Sequence, residues 1–159
     1  MTIKEDKWLL IFNWLKEHNK TVSTMESCTG GFVANMITNY KGASDMFSLG
    51  LVSYSNQVKI NFGVPASIIE KYTVYSKETA ASMARTVCNL ASSTYGIGIT
   101  GELSKENGVT YICIYDSVND KEYYKTISTN LDKRSDEKVA VTNMVIDLLF
   151  EIINFEKEV

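Results

Sequence analysis

Two short stretches of this chain hold the residue types that chemistry needs. In Ser27-Cys28-Thr29-Gly30-Gly31, two hydroxyls and a thiol precede a pair of glycines, and in GLVSYSNQVK the residues Tyr54, Ser55 and Asn56 lead to Lys59. The first stretch follows TVSTM, a strand-like run, and precedes apolar residues at helical spacing. A strand that enters a helix through hydroxyls sets free backbone N–H groups at a positive helix end, which suits an anion or a mounted nucleophile. Glycines let the backbone approach a ligand closely, and the first N–H groups are placed to hold a developing oxyanion. The residues leave open a plainer reading, in which Ser27 or Thr29 caps the helix and the glycines serve packing. Cys28 has no histidine near it in sequence and reads as a small buried apolar residue.

The single histidine, His18, lies in LKEHNK, where a helix is expected to end. Positive charge suits that position, so His18 reads as a solvated helix terminus. Acid–base chemistry then falls to Lys, Tyr, Asp or Glu. A lysine beside the Ser27 hydroxyl acts as its base if burial or a neighbouring cation lowers its pKa, and Lys59 is the candidate. By type alone Lys59 reads as an ordinary solvated lysine.

The elements that must position these residues follow from periodicity. Trp8, Ile11, Phe12 and Leu15 mark an amphipathic helix from Asp6 to His18. TVSTM is strand one. Val33, Met36, Ile37 and Tyr40 place a helix over 30–39. FSLGLVSYSN is strand two, followed by Pro65 at the start of a short helix, ASIIEKY. Ser76 caps a longer helix whose expected core face is Ala80, Met83, Ala84, Val87, Leu90 and Ala91. GIGIT is strand three, and GVTYICIYDS and KEYYKTIST form a hairpin of strands four and five. The last helix spans 135–155, with Val141, Met144, Val145, Leu148, Leu149 and Ile152 inward. This order predicts a three-layer α/β/α fold with a mixed sheet, because helical crossovers give parallel pairing and a hairpin gives antiparallel pairing.

At 159 residues the chain is expected to form one domain over 1–159. A 45% apolar and 22% charged composition is globular. No apolar run reaches the roughly 20 residues of a bilayer span, and no leader pattern opens the chain, so a cytoplasmic protein without membrane contact is expected. The net charge of −3 without a basic stripe argues against nucleic acid and for a small-molecule partner. Three widely spaced cysteines suggest neither disulfides nor a metal site.

ESCTGG, KGASDMFSLGLVSYSNQVKINFGV, VYSKETAASMA, GITG and GVTYI, in this order and spacing, resemble the C-terminal domain family of the competence and damage-inducible protein CinA. The resemblance covers nearly the whole chain. It implies a mixed five-stranded sheet in order 21345 with strand four antiparallel, homo-oligomeric assembly, and no cofactor or metal. Standalone family members are nicotinamide mononucleotide deamidases, which release nicotinate mononucleotide and ammonia in pyridine-nucleotide recycling. By resemblance, Ser27 and Lys59 are the catalytic pair, and Tyr54 relays protons or orients the lysine. Cys28, Thr29, Gly30 and Gly31 are expected to bind substrate, as are Ser55, Asn56, Thr100 and Gly101. Arg134, at the start of the last helix, is expected to help hold the ligand, with Lys138 at a second basic position.

One segment departs from the family pattern. After Thr100-Gly101 the family carries a glycine-rich loop with a proline, whereas this chain has only ELSKEN before Gly108. The departure leaves three readings: a more open site, a site completed by a partner subunit, or a catalytically impaired nucleotide-binding or oligomerisation module.

Overall fold

Residues 1–158 are described by the computed structural model of the chain. The helix α1 (Glu5–Glu17) precedes β1 (Val22–Glu26), α2 (Phe32–Thr38), a 3₁₀ turn (Ala43–Asp45) and β2 (Phe47–Val52). Three helices follow, α3 (Asn56–Asn61), α4 (Ala66–Tyr72) and α5 (Lys77–Ala91). Then come β3 (Tyr95–Gly101), β4 (Thr110–Asp116), β5 (Lys121–Ile127) and α6 (Arg134–Glu158).

The strands form one five-stranded sheet in the order β2-β1-β3-β4-β5. β1 pairs in parallel with both β2 and β3, while β4 runs antiparallel to β3 and β5. This is the mixed sheet expected from the element order. Burial follows position. Central β1 is buried at every residue, whereas edge strand β2 alternates between partly buried and exposed residues. On one face α1, α2 and α6 enclose the main core around Trp8, Leu15, Ile37, Ile97, Val145 and Leu149. On the other, α5 lays Ala80, Ala84 and Cys88 against Cys113 and Tyr115.

The GIGIT strand has a packing reason. A Cβ at Gly96 or Gly98 would stand 2.1 Å from the carbonyl of Ala84 or Ala80, so α5 rides directly on the β3 backbone. That contact sets α5 low on the sheet.

Two expectations need correction. Strand two ends at Val52 and does not continue through Asn56; Ser55 caps α3, accepting from the Val58 N–H at 3.2 Å, so YSN belongs to a helix entry. Leu90, in the last turn of α5, is exposed and does not belong to the core face. Among the described residues, no helix is long and apolar enough to cross a membrane.

Candidate active site

Ser27 is the first residue beyond β1, and its N–H donates to the Ile99 carbonyl at 3.0 Å, which ties it to neighbouring β3. The chain must then reverse into α2 within four residues. Gly30 (φ 62°) and Gly31 (φ 91°) make that turn in the left-handed region, where a side chain is strained. Gly30 faces Lys138, whose Nζ would lie 3.3 Å from a Cβ placed there.

The residue that fixes the turn is Glu26, which sequence reasoning passed over. Its fully buried carboxylate accepts from the Thr29 hydroxyl at 2.7 Å and from the N–H groups of Val33 and Ala34, each at 3.0 Å. The first turn of α2 is therefore already capped by an anion. This corrects the expectation of a helix end open to ligand. The Gly30 N–H is also spent, donating to the Ser27 carbonyl at 3.0 Å. The N–H groups of Cys28, Thr29 and Gly31 donate to no other residue's backbone among the described residues, and those of Cys28 and Thr29 follow Ser27 directly in the chain. No local pattern pointed to Glu26, because its partners lie up to eight residues ahead.

Lys59 enters from α3. The Ser55 cap starts that helix, and its last turn carries the lysine beneath the sheet edge, where Lys59 is fully buried. Its Nζ lies 3.1 Å from Ser27 Oγ and donates to the Ser53 carbonyl at 2.7 Å. Burial pushes its pKa below the ordinary lysine value, with the Cys28 thiol acting in the opposite sense. An amine held this way has access to its neutral form, whose lone pair can take the serine proton. The solvated reading of Lys59 is thus excluded by its burial.

Ser27 and Lys59 open into a cavity of about 250 Å³ lined also by Cys28, Tyr54, Asn56, Gly101 and Arg134. Of the other positions expected to bind substrate, several serve the frame. Thr29 is buried against Glu26, Ser55 caps α3, and Thr100 donates to the Val74 carbonyl at 2.8 Å. Gly30 and Gly31 shape the turn. Cys28 is buried, as its type suggested, and burial raises its thiol pKa despite a weak contact to Thr110 Oγ1 at 3.9 Å.

Of the remaining wall, sequence reasoning singled out the ELSKEN segment and missed Val74 and Tyr75. Val74 and Tyr75, from the approach to α5, and Glu102, Leu103 and Lys105, from the β3–β4 connection, complete the lining. Lys105 Nζ donates to Glu102 at 2.6 Å, so the short segment presents an ion pair in place of bare backbone. Arg134 bridges two walls, donating to the Leu103 carbonyl at 3.2 Å and to the Tyr54 hydroxyl at 3.3 Å.

A strand-end serine against a buried lysine lies in a crevice at the ends of parallel strands, where open α/β sheets bind ligands. The profile of the CinA C-terminal domain family matches residues 6–153, and the chain belongs to that family. A protein of Clostridium botulinum (strain ATCC 19397 / Type A), named as competence-damage inducible, is 35% identical over 141 residues. That match covers 84% of this chain and 34% of the relative, and a similarly named Thermoanaerobacter pseudethanolicus protein matches at 35% over 136 residues. The chain thus spans about a third of the length of these relatives.

Among solved structures, the competence or damage-inducible protein from Enterobacter asburiae superposes with a TM-score of 0.86 at 19% identity, covering 96% of this chain and 99% of that one. The competence damage-inducible protein A from Klebsiella pneumoniae gives 0.88 at 17% identity, covering 96% and 98%. These likenesses establish the fold, including the five-stranded order.

Proposed function

We propose that this chain is an amidohydrolase of the nicotinamide mononucleotide deamidase type, acting through Ser27 and Lys59. The observation that carries the reading is the 3.1 Å approach of a fully buried lysine amine to a serine hydroxyl at a cavity floor. Neutral Lys59 takes the Ser27 proton as Oγ attacks the carboxamide carbon. The carbonyl oxygen becomes an oxyanion beside the Cys28 and Thr29 N–H groups. The tetrahedral intermediate collapses, the C–N bond breaks, and the Lys59 ammonium gives its proton to the departing ammonia. Water, deprotonated in turn by Lys59, attacks the acyl-enzyme; the carboxylic acid leaves, and Ser27 recovers its proton. Arg134, with Lys138 a helical turn further on, supplies positive charge for a phosphate at the cavity mouth.

The experiment is release of ammonia and nicotinate mononucleotide from nicotinamide mononucleotide by wild type, Ser27→Ala and Lys59→Ala. Turnover that falls about 10² to 10⁴-fold in both variants supports the reading. A wild type that binds the nucleotide in a calorimetric titration and never hydrolyses it sinks the reading.

That second outcome belongs to the alternative, a nucleotide-binding module without turnover. One observation favours it: ELSKEN lines the cavity with the Glu102–Lys105 pair, where the family resemblance implies a glycine-rich loop. An anionic side chain there disfavours a phosphate, and its ammonium partner offsets the effect.

A further inference from the structure

The connection between β3 and β4 holds Ser104 and Asn107 in left-handed backbone, at φ 58° and 60°. Both are non-glycine residues, and such positions persist where surrounding contacts enforce them. Part of that enforcement is internal. The Glu102 N–H donates to the Val109 carbonyl at 3.2 Å, the Gly108 N–H donates to the Lys105 carbonyl at 2.9 Å, and Leu103 is buried in the main core.

Ser128 Oγ adds a bond to the Gly108 carbonyl at 2.9 Å, and one carboxylate adds more. Glu137, in the first turn of α6, is fully buried and accepts from Ser104 Oγ at 2.8 Å and from Thr129 Oγ1 at 2.9 Å. The nearby backbone of Ser104 and of Leu131 favours its charged form in the same sense. Burial acts to raise its pKa, but these donors prevail and hold the carboxyl below its ordinary value. Glu137 therefore joins the 101–108 segment, the connection after β5 and the start of α6. One turn earlier on the same helix, Arg134 donates to the Leu103 carbonyl, so the segment and the arginine are fixed together.

We propose that Glu137 is a positioning residue that holds the 101–108 segment and Arg134 as preformed walls of the cavity, so that ligand docks against a standing wall and not beneath a closing lid. The physical logic is that a buried charge satisfied by several donors has one low-energy arrangement, and loosening any donor leaves it poorly paired. Glu137 is not among the residues that line the cavity. Its effect passes through Ser104, Thr129 and α6. The kinetic arm below rests on the amidohydrolase reading; the exchange arm does not.

The test uses the full chain with Glu137→Gln and Thr129→Val. Glutamine keeps the size but turns an NH₂ group toward donors, and valine removes one donor without changing shape. Amide hydrogen exchange over 102–108 and 129–133 is expected to be about tenfold faster or more in Glu137→Gln, and less so in Thr129→Val. KM for nicotinamide mononucleotide is expected to rise about tenfold in Glu137→Gln while kcat stays within about threefold, because Ser27 and Lys59 stand on other elements. Saturating wild type with that nucleotide is expected to change exchange over 102–108 by less than about tenfold.

Unchanged exchange in both variants overturns the proposal. A kcat loss as large as the loss in kcat/KM also overturns it, because that marks general damage to the Ser27–Lys59 pair. Protection of 102–108 by orders of magnitude on adding nucleotide identifies a closing lid and overturns it as well. If Glu137→Gln does not fold, Thr129→Val decides: faster exchange supports the proposal and unchanged exchange refutes it. If wild type neither hydrolyses nor binds the nucleotide, the amidohydrolase reading falls, and exchange in the variants still decides the role of Glu137.

Discussion

Glu26 and Glu137 are both fully buried carboxylates that anchor walls of the same cavity, yet their donors come from different distances along the chain. Glu26 is bonded by the Thr29 hydroxyl and the N–H groups of Val33 and Ala34, all within eight residues on one β1–α2 unit. Glu137 reaches Ser104, 33 positions earlier, as well as Thr129. The wall that carries Ser27 is thus closed locally around the central strand. The facing wall depends on contacts among segments distant in sequence. Damage to the first should strike chemistry, and damage to the second should strike binding.

The largest expected effect is at Lys59, the proposed base. Lys59→Met keeps an apolar stem in the buried slot and removes the amine, so kcat should fall about 10² to 10⁴-fold. The same residue sets the pH dependence of wild type. Its folded-state pKa is lowered by burial, so activity needing the neutral amine should be lost as pH falls through that lowered value. Stability follows the same group. Between the lowered folded pKa and the unfolded lysine value of about 10.4, the unfolded chain binds more protons, so wild-type stability should rise with pH relative to Lys59→Met. Urea unfolding of both proteins across alkaline pH measures this, and parallel curves would contradict a buried, low-pKa lysine.

Glu26→Gln comes next and tests the local wall. A glutamine accepts only through its carbonyl and sets an NH₂ group against one of the three donors, leaving a buried group unsatisfied at a cost of about 1–3 kcal/mol. Thermal unfolding should show that loss. Steady-state kinetics should show kcat down about 10 to 10²-fold with KM within about threefold, because the turn that carries Ser27 is displaced. A rise in KM alone would erase the contrast between the two walls.

The legibility of the site follows the same division. Ser27 and its turn could be read because the strand, the hydroxyls and the glycines are contiguous, and Gly30 and Gly31 do adopt positive φ. The three-layer sheet was readable because hydrophobic periodicity is local as well. Lys59 was named, but its burial was not visible in its type; it follows from the Ser55 cap, and SYSN resembles a strand end until the cap is seen. The anchoring roles of Glu26 and Glu137 went unread because a buried carboxylate is defined by donors that only the fold assembles, and first-turn position alone marks Glu137 as no more than an acid suited to the helix dipole. Thr29 and Thr100 were read as ligand contacts for the converse reason. Their hydroxyls lie near the strand ends but are engaged by Glu26 and the Val74 carbonyl.

The smallest expected effect concerns Tyr54, which bridges the two walls through Arg134. Tyr54 is 64% exposed, and its hydroxyl accepts from Arg134 at 3.3 Å, a long hydrogen bond open to solvent. Tyr54→Phe removes only that bond, so stability should stay within about 0.5 kcal/mol and KM should rise no more than about threefold. The informative quantity is kcat. An unchanged kcat assigns Tyr54 to holding Arg134 at the cavity mouth, on the binding side of the contrast. A fall of about tenfold or more, with KM steady, moves Tyr54 to the side of Ser27 and Lys59 as a group that handles or orients protons.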